Sequence, residues 1–234
     1  SKGGKLMTES EGRLWIATRD LVRVVGHDLR NNLGVMGNSV YYLTIRLGKQ
    51  DAKIARHLEI LAREIALTNR MVLDLMDLLH PRNPSPALLD LNAVIQGVVE
   101  RNPPPQETGV TVSLQLAPGS LWLRGDGEQL ARAAENVLLS RYEQMAAGGA
   151  LEIVSRTVQG RGTVEFLERG RAYEPEDSER WLGLGAASDA ARDGASAPHL
   201  GLLVALRLLT LNGGELGITT GPDGCRIVLA IGPA

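Results

Sequence analysis

The chain has 234 residues, 44% of them hydrophobic and 22% charged, which is a globular composition and excludes a disordered or fibrous protein. Lys plus Arg number 25 against 27 for Asp plus Glu, so a net charge of -2 gives no bulk attraction to nucleic acid or anionic lipid. The single cysteine, Cys225, excludes an internal disulfide and a cysteine zinc site, and no apolar run approaches ~18 residues, so the chain is expected to be cytoplasmic with no membrane span.

Residues 1–12 read as a tag or linker outside the fold, and residues 13–80 as a helical hairpin. Leu14, Thr18, Leu21, Val25, Leu29, Leu33, Met36, Val40, Leu43 and Leu47 recur at intervals of three and four, which predicts one long helix. Ile54, Leu58, Leu61, Ile65, Thr68, Val72, Leu75 and Leu79 repeat at alternating intervals of four and three, the seam period of a bundle, with Asp51 as the N-cap. Pro81, Pro84 and Pro86 end the second helix, because proline lacks a backbone donor and drives its predecessor out of the helical region. Two helices of about 35 and 28 residues cannot cover each other's apolar stripes, so a homodimeric four-helix bundle is expected. The other solution is a monomer whose hairpin packs on its own C-terminal domain.

Residues 87–234 read as a mixed α/β domain. Short β-type runs fall at Val110 to Leu116, Leu121 to Leu123, Leu151 to Thr157 and Thr163 to Leu167. A helix opens at Gly125-Asp126-Gly127-Glu128-Gln129, where Asp126 can cap the free amides and Gln129 can reciprocate. A last helix, Leu200 to Leu211, stops at Asn212-Gly213-Gly214, and Glu215 to Thr220 with Arg226 to Ile231 form a hairpin around Gly221-Pro222-Asp223-Gly224.

The chemistry-bearing run is Gly26-His27-Asp28-Leu29-Arg30-Asn31-Asn32-Leu33 on the first helix. His27 lies off the apolar stripe and is expected to face solvent. A neutral imidazole is a nucleophile toward phosphorus when a carboxylate keeps one ring nitrogen protonated and leaves the other free. Asp28 is that carboxylate, and Asn31, one turn on, shares the face of His27 and can reach a phosphoryl group.

His27-Asp28-Leu29-Arg30-Asn31-Asn32-Leu33, with Asn38 and Tyr41-Tyr42-Leu43 behind it, resembles the H-box of two-component sensor histidine kinases. The second half resembles that family's Bergerat-type ATP-binding domain through Asp126, Leu130, Asn136, Gly170, Gly201, Leu202, Gly213 and Gly214. The resemblance implies an α plus α/β architecture, a phospho-accepting His27, an assisting Asp28, and an Asn31 that helps dephosphorylate a response regulator.

The nucleotide site departs from the family at each box. Asn136-Val137-Leu138-Leu139-Ser140-Arg141 keeps the first asparagine of the N-box and has Ser140 at the magnesium ligand, while Arg141 replaces a small alanine and adds a cation where the family binds Mg²⁺. The other option for Arg141 is to swing outward and grip phosphate. Glu168-Arg169-Gly170-Arg171-Ala172 replaces Asp-x-Gly-x-Gly, so Glu168 is one methylene longer than the adenine-binding aspartate and Ala172 adds a Cβ. Ala197-Pro198-His199-Leu200-Gly201-Leu202 keeps one glycine of three, and Pro198 removes an amide that would face phosphate. Gly183-Leu184-Gly185 reads as lid or linker. Asn32 stands where the H-box has proline, so the helix regains a backbone hydrogen bond and loses a preset kink.

The expectation is therefore a dimeric phosphorelay protein. It carries a phosphoryl group on His27 to and from response-regulator receiver domains, with no metal site, no required cofactor and a vestigial nucleotide site at Asn136, Ser140, Glu168, Gly170 and Gly201. A divergent but active ATP-dependent kinase is the first rival, and a non-enzymatic dimeric regulatory module with a relic His27 is the second.

Overall fold

The computed structural model describes residues 9–47, 51–106, 108–182 and 200–232, with side chains described from residue 25 onward. The chain divides into two compact units, residues 1–81 and 82–234.

The first unit is a hairpin of α1 (Glu9–Leu47) and α2 (Ala52–Leu79). Helix α1 starts inside the stretch expected to be a tag or linker, and it runs through Asn32 without a break. Asp51 caps α2, its carboxylate accepting from the Lys53 amide at 2.7 Å. The stripe expected to be inward is only partly so. Val40 and Leu58 are buried, whereas Val25, Leu29, Met36, Leu43, Leu61 and Leu75 remain exposed. Small residues do part of the packing: a Cβ on Gly26 would stand 2.9 Å from the Met76 sulfur, so α2 lies close against the residue preceding His27. A groove of about 580 Å³ between α1 and α2 is lined by Leu33, Gly37, Val40, Leu58 and Ile65 among others.

The second unit begins with β1 (Ala87–Asp90) and α3 (Leu91–Arg101), neither of which the sequence reading assigned. Strands β2 (Val110–Gln115), β3 (Trp122–Gly125), β4 (Gly149–Val158) and β5 (Arg161–Arg169), helices α4 (Gly127–Gln144), α5 (Asp177–Trp181) and α6 (Leu200–Leu211), and strands β6 (Glu215–Gly221) and β7 (Gly224–Ile231) complete it. A five-stranded sheet has the order β2-β4-β5-β7-β6, and β1 pairs with β3 in a separate two-stranded sheet. The β2–β4 pair is parallel, and the remaining pairs of the large sheet are antiparallel. Alternation directs Leu151, Ile153, Val164, Phe166, Ile227 and Leu229 toward one face, where each is 1% exposed or less. Helix α4 packs beside both α3 and α6 and contributes Ala133, Ala134, Val137 and Leu138 to the same core. Burial of each large aliphatic side chain there contributes ~1.5–3 kcal/mol. The result is the expected α/β sandwich.

The capping of α4 differs from the sequence reading in one respect. Asp126 accepts from the amides of Glu128 and Gln129, each at 3.1 Å, but Gln129 does not reciprocate. Asn212, at the end of α6, takes that place: its Oδ1 accepts from the Asp126 amide at 2.8 Å, and its Nδ2 donates to Gln129 at 2.8 Å. Arg82 donates to both Asp126 oxygens, at 2.6 and 2.9 Å, and the Ser85 amide donates to one of them at 2.7 Å, so residues 82–85 are pinned to the start of α4. Burial alone would push the Asp126 carboxyl up, but Arg82 and the Ser85 and Gln129 amides outweigh it and hold the group below the usual carboxylate range.

Candidate functional site

His27 sits in the middle of α1 with its side chain 67% exposed, as the sequence reading expected. Its Nδ1 lies 3.5 Å from Asp28 Oδ1 and 3.3 Å from Asn31 Nδ2. These two contacts select opposite tautomers. A carboxylate requires a proton on Nδ1, which leaves the Nε2 lone pair free, whereas an amide nitrogen donates to an unprotonated Nδ1. A half-turn of the Asn31 amide presents its oxygen, and both neighbours then accept from the same Nδ1–H. Asp28 is 71% exposed, so it lies in water and is not a strong buried charge.

The residues expected around a nucleotide lie in the C-terminal unit and are drawn inward. Asn136 lies one turn of α4 before the adjacent Ser140 and Arg141, and all three are buried, with Asn136 and Arg141 at 0% exposure. Asn136 faces the start of α6: a Cβ added to Gly201 would be 3.1 Å from its Oδ1, so glycine sets how closely the helices approach. Glu168 is buried on the helix-facing side of β5. Gly170 ends that strand with φ +90°, a left-handed conformation suited to glycine, and its amide donates to the Asp223 carbonyl at 3.2 Å. Gly170 is thus tied to the β6–β7 turn. Pro198, His199 and the run 183–185 lie outside the described residues.

Arg141 is placed differently from both sequence expectations. Its guanidinium neither swings outward nor stands alone beside Ser140, but turns into the core toward the carboxylate expected to read a base. Nη1 lies 3.5 Å from Glu168 Oε2, Nη2 lies 3.3 Å from Ser140 Oγ, and the guanidinium carbon is 4.5 Å from the centre of the Trp181 ring. Position 141 lies on the α4 face that meets the sheet, so a long cation there can only run along the core until it finds an acceptor.

Two residues of this cluster were missed by the sequence reading. The Tyr173 hydroxyl donates to Glu168 Oε1 at 2.7 Å, and its ring meets Trp181 edge-on, with centroids 5.3 Å apart at 86°. Burial first, and then the Glu168 carboxylate, push the Tyr173 phenol far up, so it remains a donor. Arg171 lies over the Tyr173 ring at 5.1 Å and donates to the Gln144 carbonyl. A local signal existed in Tyr173 and Trp181, aromatic residues in a chain with only 3% aromatics, but it does not reveal their partner. Cys225, opposite Glu168 in the β5–β7 register, is buried, and burial pushes its thiol up to about 11, so it is not a thiolate at neutral pH.

Among the described residues no cluster of three or more His, Cys, Asp or Glu side chains could hold a metal, and no helix is long and apolar enough to cross a membrane.

The architecture is a helical hairpin followed by an α/β sandwich. More particularly, it is the fold of histidine kinases. The chain is similar in structure to full-length ShkA in complex with AMPPNP, with a TM-score of 0.67 and 18% identity over 91% of this chain and 45% of that one. It is also similar to the Acinetobacter baumannii histidine kinase AdeS, with a TM-score of 0.56 and 15% identity over 88% of this chain and 97% of that one. The catalytic domain of histidine kinase ThkA in a nucleotide-free form matches with a TM-score of 0.51 and 16% identity over 63% of this chain and 95% of that one. This chain therefore spans less than half the length of ShkA. No protein-family model and no curated protein matches the sequence.

Proposed function

We propose that this protein is a phosphorelay carrier that accepts a phosphoryl group on His27 from a receiver-domain aspartate and returns it to another. The observation that carries the reading is the exposed His27 ring with Asp28 and Asn31 both at Nδ1. In the transfer, the Nε2 lone pair attacks the phosphorus of the aspartyl phosphate, the acyl P–O bond breaks, and the receiver recovers its carboxylate. The Nδ1 proton becomes more acidic as the ring gains positive charge and is held by Asp28. The reverse sequence discharges the histidine. Each step conserves the phosphoryl group and needs no nucleotide.

The same reading has the hairpin acting as a homodimer, because Met36, Leu43, Leu61 and Leu75 are apolar at seam positions and uncovered within one chain. It also has the C-terminal unit working without ATP and Mg²⁺, in contrast to ShkA, whose described complex contains AMPPNP. Glu168, the match for the base-binding carboxylate, is engaged by Arg141 and Tyr173. Incubation with a phosphorylated receiver, after removal of ATP, tests the proposal: label is expected on His27. A receiver that keeps its label with every partner tried supports the relic-module reading.

A divergent active kinase is the second reading, favoured by Asn136, which keeps its N-box position in contact range of Gly201. Label reaching His27 from ATP alone would establish it.

A further inference from the structure

We propose that Arg141 is a tethered ligand: Glu168, Trp181 and Ser140 form a binding site for a planar guanidinium-type cation, and the chain's own side chain occupies it. The site is built. Glu168 is 2% exposed at its side chain, and its second oxygen is fixed by the Tyr173 hydroxyl at 2.7 Å. Trp181 is 4% exposed and is held edge-on by the same tyrosine, so both the carboxylate and the aromatic plate are oriented independently of Arg141.

Arg141 is held more loosely than a bidentate buried ion pair holds its cation. A guanidinium has five N–H donors, and a buried one ordinarily meets a carboxylate through two parallel hydrogen bonds. Arg141 has one long contact to Glu168, one to Ser140, and an Nε with no hydrogen-bond partner among the described residues. The guanidinium also lies over the Trp181 ring, its carbon 4.5 Å from the ring centre. A plate and one acidic edge are what a pocket offers a free planar cation. Arg141 therefore completes the domain in place of an added molecule. This deepens the reading that the C-terminal unit needs no nucleotide, and its test is separate from any transfer at His27.

Arg141→Ala in the full chain vacates the site, and methylguanidinium is the probe. At millimolar concentration it is expected to raise the melting temperature of Arg141→Ala by several degrees, because a ligand that binds the folded state alone stabilises it by mass action. The parent chain should show no rise, nor should Arg141→Ala with Glu168→Gln. Tetramethylammonium, a cation without a plane or N–H groups, should be inert. Trp181 emission, read with Trp15→Phe and Trp122→Phe in the background, should change with the same concentration dependence. If Arg141→Ala is unfolded alone, methylguanidinium is expected to restore cooperative melting. Absence of any effect on Arg141→Ala, folded or unfolded, overturns the proposal. An equal rise with tetramethylammonium or in the parent overturns it as well.

Discussion

Arg141 and Glu168, 27 residues apart in sequence, face each other across the core between α4 and β5 at 3.5 Å, with side chains 0% and 2% exposed. A pair so sealed from water is held together because neither partner can be left behind. Removal of one charge from a buried pair typically costs ~3–5 kcal/mol, whereas replacement of both by apolar groups of similar size is often neutral or stabilising. Arg141→Met alone is expected to lower stability by an amount in that range, and Arg141→Met with Glu168→Leu to recover most of it. Urea unfolding of the two single variants and the double variant measures this. Additive losses would show that the two side chains do not act as a pair.

The Arg82–Asp126 clamp has a pH signature. The Asp126 carboxyl is depressed in the folded chain, so its contribution is present in full above the ordinary carboxylate pKa. That contribution is lost as pH falls through the folded-state value. Acid unfolding of Asp126→Asn should begin from lower stability at neutral pH and show a flatter decline below pH ~4. Arg82→Ala should shift the acid transition of the parent toward higher pH. Arg82 is half exposed, so the effect at neutral pH should be small and should shrink in salt. An unchanged acid transition in Arg82→Ala would mean that the amides of Ser85 and Gln129 suffice to hold the carboxylate.

Nucleotide binding offers a third test. Mg²⁺ with an ATP analogue is expected to bind the parent no tighter than millimolar by calorimetry, because Ser140 offers one hydroxyl where a longer amide would reach the metal and Glu168 is already engaged. Ser140→Asn with Arg141→Ala should tighten binding only in part, since Pro198 still lacks the amide that a phosphate would use. Micromolar binding by the parent would establish the divergent-kinase reading.

The bundle can be tested where the fold and the interface separate. Leu43 is 40% exposed within the chain, so Leu43→Asp should leave the hairpin helical and convert dimer to monomer. Val40 is 8% exposed, and Val40→Asp should damage the hairpin itself, by ~2–5 kcal/mol as for other core deletions, with the charge adding to the loss. Light scattering with circular dichroism distinguishes the two. A monomeric parent chain would remove the dimer from the proposed function.

Local signals account for most of what could be read from the sequence. Helices α2, α4 and α6 and the β6–β7 hairpin were legible because period, cap and turn residues agree, as in Asp51 before α2 and Pro222-Asp223 between the last strands. Strand β1 was not legible, because four residues, Ala87–Asp90, become a strand only by pairing with β3. Helix α3 had its cap in Asp90 and its period in Leu91, Ile95 and Val98, but the surrounding prolines disguised a helix of 11 residues. At the site, His27, Asp28 and Asn31 lie within five positions on one helix, so their proximity followed from helical geometry. The setting of Arg141 depends on Glu168, Tyr173 and Trp181, which only the tertiary fold brings near it.

His27 is expected to be the sole phosphoryl acceptor. Of the other histidines, His57 and His80 lie on and just after α2 with no acidic residue at the following position, and His199 lies outside the described residues. His27→Gln keeps length and hydrogen bonding but removes the lone pair that attacks phosphorus, so it should abolish transfer and leave the oligomeric state unchanged. Asp28→Asn should slow transfer without ending it, by a factor on the order of 10², the low end for proton management, because the carboxylate sits in water. Asn31→Ala removes only the second acceptor at Nδ1 and leaves Asp28 in place, so it should slow charging of His27 less than Asp28→Asn does. Phosphoryl transfer that persists in His27→Gln, measured with labelled receiver in the absence of ATP, would place the acceptor elsewhere in the chain.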